Sequence, residues 1–450
     1  MLSRSGYLVP LTHPDIKEIK KELTVRPIVN NEFGFPPPPF KVFKETSKNL
    51  CVPRFYGLNR FKGNVDDTRP VPAHAVFKFE GNLRDETFQN VALKKAIEAG
   101  SGVLSLPCGY GKTTVALAIA GRLGLRTMIV VHKEFLANQW RERIQQFCPG
   151  ATIGIVQQDK IDIECDFVIA MLQSLSLKEY TFDQFESIGT LFVDEAHHVC
   201  ARVFSQSLFK LCPRHVFGLS ATPERKDGLT NVLHWFLGPT FFAVERENQK
   251  QVQVFPIEFE CRLFKEPPPC NRTGKVSLVN MITELVEHPE RNHMIVELIR
   301  KLVREEPSRQ ILVLSDRRLH CEYLCSQFPG ISGLYMGGMK EADLAETSKR
   351  GIIFGTFSQA HEGLDIPTLD TVILATPKSD IKQSIGRILR ETSGKKNPPK
   401  IFDMLDRWSL LYSMYQKRRR VYKEGGFLID TSADEPPVVN EFKGKCLLTL

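Results

Sequence analysis

Short apolar runs with no polar alternation recur along the chain in two series, each run separated from the next by a polar or amphipathic stretch long enough for a helix. The first series is GVLSL (102–106), TMIVV (127–131), FVIAM (167–171), TLFVD (190–194) and HVFGLS (215–220). The second is QILVLS (310–315), GLYMG (333–337), GIIFGT (351–356), TVILAT (371–376) and KIFDML (400–405). A strand that is apolar on both faces is buried on both, as in a parallel sheet covered by helices. The pattern predicts two successive α/β domains, the second series following the Pro267–Pro269 run. Residues 1–80 show no such series, and the Pro36–Pro39 run predicts an extended linker or loop there. The expected division is 1–80, an N-terminal accessory region; 81–245, a first α/β domain; 246–280, a linker; 281–425, a second α/β domain; and 426–450, a tail.

Composition narrows the class. With 42% apolar and 25% charged residues in 450, the chain is ordinary for a globular protein that buries sizeable cores. No apolar run approaches the roughly 20 residues of a membrane span, and the start, MLSRSGYLVPLTHPDIKEIKKEL, turns polar before a signal core forms. The expectation is a protein neither secreted nor membrane-bound. Eleven cysteines without a CxxC pair suit free thiols in cytosol or nucleus. Between Arg387 and Glu424, 11 Lys or Arg stand against 4 Asp or Glu, nearly the whole net charge of +8. Such a strip fits a polyanion such as nucleic acid, or is simply a solvated basic helix.

Candidate chemistry begins at LPCGYGKTT: Leu106, Pro107, Cys108, Gly109, Tyr110, Gly111, Lys112, Thr113 and Thr114. It lies between an apolar run and the helix-like VALAIAGRL, where backbone N–H groups turn toward an anion. The glycines allow close approach, Lys112 has the reach for the β- and γ-phosphates, and the Thr113 hydroxyl suits Mg²⁺. Leu106 stands where the strict GxxxxGK[ST] pattern has its first glycine. About 80 residues further on, Asp194 and Glu195 leave the run TLFV. A carboxylate at the C-terminal end of a central strand faces the phosphate loop, so Asp194 is placed to hold Mg²⁺ and Glu195 to orient and deprotonate the attacking water.

Two other chemistries fall away. His197, His198 and Cys200 lack the distant partner pair of a zinc site, and no GxSxG follows a strand to suggest a triad hydrolase.

The motifs LPCGYGKT, DEAH (194–197), LSATP (219–223), GTFSQAHEGLDIP (355–367) and QSIGRILR (383–390), in this order, resemble those of superfamily 2 helicases across residues 83–425. The resemblance implies an α/β fold of two tandem RecA-like P-loop NTPase domains with parallel sheets, using ATP and Mg²⁺. It implies that Ser220, Ala221 and Thr222, with His197, link hydrolysis to domain movement, and that Gly363 and Asp365 couple nucleotide to the strand-binding groove. Gln383, Arg387 and Arg390 would reach ATP from the second domain. The i, i+3 spacing of the two arginines puts both on one helix face, where guanidinium forks suit a phosphoryl transition state. VVHKEFLANQW (130–140) and Gln173 resemble the backbone-gripping motifs. LRDETFQNVAL (83–93) is similar to the adenine-reading segment, with Gln89 the base contact, although Thr87 stands where the usual LRxYQ has its glutamine.

PCGYGKT, SATPERKDGL and QKRRRVYKEGGFLI look most like the branch related to xeroderma pigmentosum group B and its counterparts in large DNA viruses. FKVFKETSKNLCVPRFYG (40–57) is similar to the viral transcript-release helicases. The resemblance implies a DNA partner, with RNA left open, 3′ to 5′ movement, and work alongside transcription or repair proteins, at the replication site or in the virion if viral. A duplex translocase that separates no strands, and a non-enzymatic nucleic-acid scaffold, are the alternatives.

Overall fold

The computed structural model describes the chain except residues 29–36, 108, 212, 222–223, 225–226, 245–251, 272–273, 363, 365, 382–383, 387–396 and 431–450. The chain divides into two compact units, 1–245 and 246–450.

Unit 1 is built on an eight-stranded sheet: β1 (Gly102–Ser105), β2 (Thr127–Val131), β3 (Ile153–Gln157), β4 (Lys160–Ile161), β5 (Phe167–Met171), β6 (Thr190–Asp194), β7 (His215–Ser220) and β8 (Thr240–Ala243). The order is β4-β3-β5-β2-β6-β7-β1-β8, parallel except for the β3–β4 pair. All five apolar runs of the first series are strands. β3 escaped the pattern because its residues alternate between half-buried and buried.

The two faces of this sheet explain the continuous hydrophobicity. Met128, Val130, Val168, Ala170, Leu191 and Val193 enter one core, while Ile129, Val131, Ile169, Phe192 and Phe217 enter the other. Helices α1 (Gln89–Ala99), α2 (Lys112–Leu123) and α3 (Glu134–Phe147) cover the second face. Each fully buried Leu, Ile or Phe contributes about 1.5–3 kcal/mol.

The N-terminal region belongs to the same unit. Leu2–Ser3, Gly6–Pro10, Asn49–Val52 and Lys44–Glu45 form a small antiparallel sheet. Phe40, Val42 and Cys51 enter the first of the two cores, alongside Leu191 and Phe209. Asp67 bridges Arg69 at 2.8 Å and Arg214 at 2.9 Å, and these arginines hold the Asp67 carboxyl down at about 2. An irregular strap then runs past the sheet. The Ala73 N–H donates to Ser187 O, Ala75 to Gly124 O and Glu80 to Phe147 O, while Phe77 and Phe79 pack into the second core. The strap delivers the chain to Arg84 and α1.

Unit 2 is an all-parallel seven-stranded sheet: β9 (Gln253–Phe259), β10 (Ile311–Ser315), β11 (Ser332–Tyr335), β12 (Ile352–Thr356), β13 (Thr371–Leu374), β14 (Lys400–Asp406) and β15 (Leu428–Ile429), in the order β11-β12-β10-β13-β14-β9-β15. All five runs of the second series are strands here. Helices α4 (Pro289–Glu305), α5 (Arg318–Ser326) and α6 (Ser409–Glu424) pack on it.

Two buried ion pairs bolt helices to opposite faces of β14. Arg291 of α4 grips Asp406 at 2.8 and 2.9 Å and donates to Ala375 O. Arg418 of α6 grips Asp403 at 2.9 and 3.0 Å, with the Tyr422 hydroxyl donating to the same carboxylate at 2.7 Å. One member of the basic strip is thus structural: Arg418 is buried and paired, whereas Lys417, Arg420 and Lys423 remain exposed.

Candidate nucleotide-binding site

The loop after β1 turns on two glycines in the left-handed region, Gly109 (φ 88°) and Gly111 (φ 76°), and Gly111 caps α2. A side chain at Gly111 would lie 2.4 Å from Gln89 Nε2, so glycine is required by both conformation and space. Leu106, the residue in place of the pattern's first glycine, is fully buried, and its N–H donates to Ser220 O at 3.2 Å. It ends the strand rather than making the turn, which is why a bulky residue stands there. Lys112 folds back to donate to Leu106 O at 3.1 Å. Thr113 and Thr114 sit in the first turn of α2, where unpaired N–H groups and the helix dipole favour an anion.

Asp194 ends β6 and is half-buried. Both its oxygens accept N–H groups: Oδ2 from Trp140 Nε1 at 2.9 Å and Oδ1 from the Glu195 main chain at 3.0 Å. Burial, then the neighbouring Glu195 charge, pushes the Asp194 carboxyl above its ordinary range, while Trp140 and Lys112 pull it down. Glu195 occupies the left-handed region (φ 45°, ψ 55°), a strained state for a residue with a side chain. Its buried Oε2 accepts no hydrogen bond among the described residues, with His197 Nδ1 3.5 Å away. A half-buried carboxylate, a second one with an oxygen to offer, and a threonine hydroxyl at a helix start are hard-oxygen donors of the kind that suit Mg²⁺.

Three other segments converge. His132, following β2, lies 4.1 Å from His198 between ring centroids, and His198 lies 4.3 Å from His197. The rings of each pair meet at tilted angles, 38° and 37°. Gln173 donates to His132 O at 2.6 Å, joining the two segments that resemble backbone grips. Gln89 is 1% exposed: its oxygen accepts from the Arg84 N–H at 2.9 Å and its nitrogen donates to Tyr110 O at 2.9 Å. Its amide is therefore engaged with the loop, leaving one N–H for a base. Phe88 beside it is 41% exposed and also left-handed (φ 58°). Ser220 is buried at the end of β7, and Ala221 follows it. Cys108, Thr222, Gly363, Asp365, Gln383, Arg387 and Arg390 lie outside the described residues. Sequence reading missed Trp140 as a partner of Asp194, for nothing in the spacing reveals a contact across 54 residues.

Comparison with known proteins places this geometry. The helicase domain of Hef from Pyrococcus furiosus superposes with a TM-score of 0.50 at 14% identity, over 74% of this chain and 98% of that one. The two units are tandem RecA-like domains. The family described as "Type III restriction enzyme, res subunit" matches residues 82–225. "Putative ATP-dependent RNA helicase L396" of Acanthamoeba polyphaga mimivirus is 33% identical over 452 residues, covering 94% of this chain and 84% of the relative. "Putative helicase 161L" of Invertebrate iridescent virus 6 is 29% identical, covering 78% and 83%. "Putative ATP-dependent RNA helicase QP509L" of African swine fever virus, isolate Tick/South Africa/Pretoriuskop Pr4/1996, is 26% identical, covering 80% and 76%. The chain belongs to helicase superfamily 2, with these proteins of large DNA viruses as its relatives, and helicases of this kind hydrolyse ATP.

Proposed function

We propose that the protein is an ATP-driven motor that moves 3′ to 5′ along DNA and separates its strands, in the branch related to xeroderma pigmentosum group B and the viral transcript-release helicases. The observation that carries the reading is the pairing of the Gly109–Thr114 loop with Asp194 and Glu195 in one domain. Lys112 binds the β- and γ-phosphates, and Thr113 and Asp194 hold Mg²⁺, which supplies neutralising charge on those phosphates. Glu195 accepts the proton of the attacking water through Oε2, which accepts no hydrogen bond among the described residues. Arg387 and Arg390 stabilise the transferring phosphoryl group, Gln383 assists nucleotide binding, and Ser220, Ala221 and Thr222 with His197 transmit its state. These roles follow the resemblance. Gly363 and Asp365 connect nucleotide to track in the same way.

Within unit 2, Asp316, Arg318, Gly337, Thr356, Ser358 and Lys378 line an open cleft of about 470 Å³. Arg318, which also donates to Gly337 O, Lys378, paired with Asp316 at 3.1 Å, and two hydroxyls lie beyond the C-terminal ends of β10, β13 and β12 and suit a sugar-phosphate backbone, which makes movement sequence-independent. In this reading, the protein acts in viral transcription or DNA repair, inside the cell or at the virus replication site.

A second reading is favoured by the names of the mimivirus and African swine fever virus relatives, which specify RNA. ATP hydrolysis measured without polymer and with single-stranded DNA, duplex DNA or RNA, together with displacement of a labelled strand from tailed duplexes, decides among them. Stimulation by RNA alone overturns the DNA assignment. Duplex stimulation without displacement identifies a translocase instead.

A further inference from the structure

Trp140 closes the segment 130–140 that resembles a strand grip, and it sits on α3, which is separated from β2 by His132 and Lys133. Its ring is 2% exposed, in the core that includes Leu136 and Ile144. An indole nitrogen can only donate, so the direction of the 2.9 Å bond to Asp194 Oδ2 is fixed. The terminal torsion of an aspartate is broad and weakly held by itself. Here it is pinned from two sides, by Trp140 on Oδ2 and the Glu195 main chain on Oδ1. Each oxygen keeps a lone pair for a cation. One pin is local to Asp194, and the other comes from a helix whose leading segment is tied to Gln173 through His132 O.

We propose that Trp140 is a positioning residue whose indole N–H sets the orientation of the Asp194 carboxylate toward the divalent cation, so that the helix bearing the grip segment governs cation binding. The proposal rests on the nucleotide-site reading above. The bland alternative is that a buried indole merely needs an acceptor, and Asp194 happens to be near. The two differ in what the Phe variant does. Trp140→Phe keeps an aromatic ring in the core and deletes the donor, together with part of the indole's volume. Outer-shell partners of metal ligands typically affect metal affinity by about 10- to 100-fold.

In the full chain, Mn²⁺ uptake in the presence of ADP, followed by electron paramagnetic resonance, should weaken by about 10- to 100-fold in Trp140→Phe, while metal-free ADP affinity stays close to wild type and melting, at a lower temperature, stays cooperative. The Mg²⁺ concentration giving half-maximal ATPase should rise in parallel. Equal Mn²⁺ affinity in the folded variant and wild type overturns the proposal alone. Failure of the wild type to take up Mn²⁺ with ADP overturns the nucleotide-site reading and the proposal with it. Should Trp140→Phe not melt cooperatively, the Trp235→Phe/Trp408→Phe chain leaves Trp140 as sole emitter. Its fluorescence should then change when Mn²⁺ joins bound ADP, and an unchanged emission overturns the proposal.

Discussion

The side-chain nitrogen of Gln89 donates to the main-chain oxygen of Tyr110 across 2.9 Å, tying the start of α1 to the phosphate loop. The contact is made against Gly111, where any Cβ would intrude to 2.4 Å of that nitrogen. Gly111→Ala should therefore combine left-handed strain with displacement of Gln89, costing about 1–3 kcal/mol of stability and most of the nucleotide affinity. Urea denaturation and titration with a fluorescent ADP read the two effects. Wild-type values for both would show that the loop does not depend on this packing.

Glu195→Gln preserves shape and removes the basic oxygen. We expect ATP binding within about twofold of wild type and turnover lower by about 10²- to 10⁴-fold, the usual contribution of a positioned general base. Single-turnover hydrolysis under saturating ATP is the appropriate measurement. Turnover at the wild-type rate would remove Glu195 from the chemistry.

Arg291 and Asp406 form a pair with both side chains fully buried. Arg291→Met should lose about 3–5 kcal/mol, because Asp406 is left charged and uncompensated in the core. Adding Asp406→Leu should restore much of the loss. A double variant no more stable than the single one would show that the pair is not the source of the cost.

His320 is buried between Ser315, whose Oγ lies 2.9 Å from Nδ1, and Asn292, whose Oδ1 lies 3.0 Å from Nε2. Asn292 donates its own nitrogen to Val286 O, so its oxygen accepts from His320 and Nδ1 accepts from Ser315. Burial, followed by the Arg291 charge, lowers the imidazole from 6.5 to about 3. The native state then refuses a proton that the unfolded chain accepts. The His320 contribution is complete above pH 6.5 and is lost as pH falls toward 3, at about 1.4 kcal/mol per pH unit. His320→Gln should flatten that slope in urea denaturation between pH 7 and pH 4. Identical slopes would refute the assignment.

The parallel strands were legible because burial on both faces leaves a signal that needs no partner: TMIVV and TVILAT are apolar wherever they lie. The loop and the Asp194–Glu195 pair were legible because phosphate chemistry demands local spacing. Features depending on a second residue far along the chain were not. Arg418 looks like one more surface cation until Asp403 is seen beside it. That Gln89 also holds Tyr110 O could not be read from its spacing. The N-terminal strands are two to five residues long and meet their partners across as many as 45 positions, so no local pattern announces them.

Phe40, Val42 and Cys51 lie in the same apolar layer as Leu191 and Phe209. The first 80 residues are thus not a cassette that could be swapped between motors or trimmed for expression, since a cut there would open a hydrophobic wound in the catalytic domain. Chimaeras with the viral relatives should be joined at the 245/246 boundary of the two units, not at the apparent start of the motor motifs.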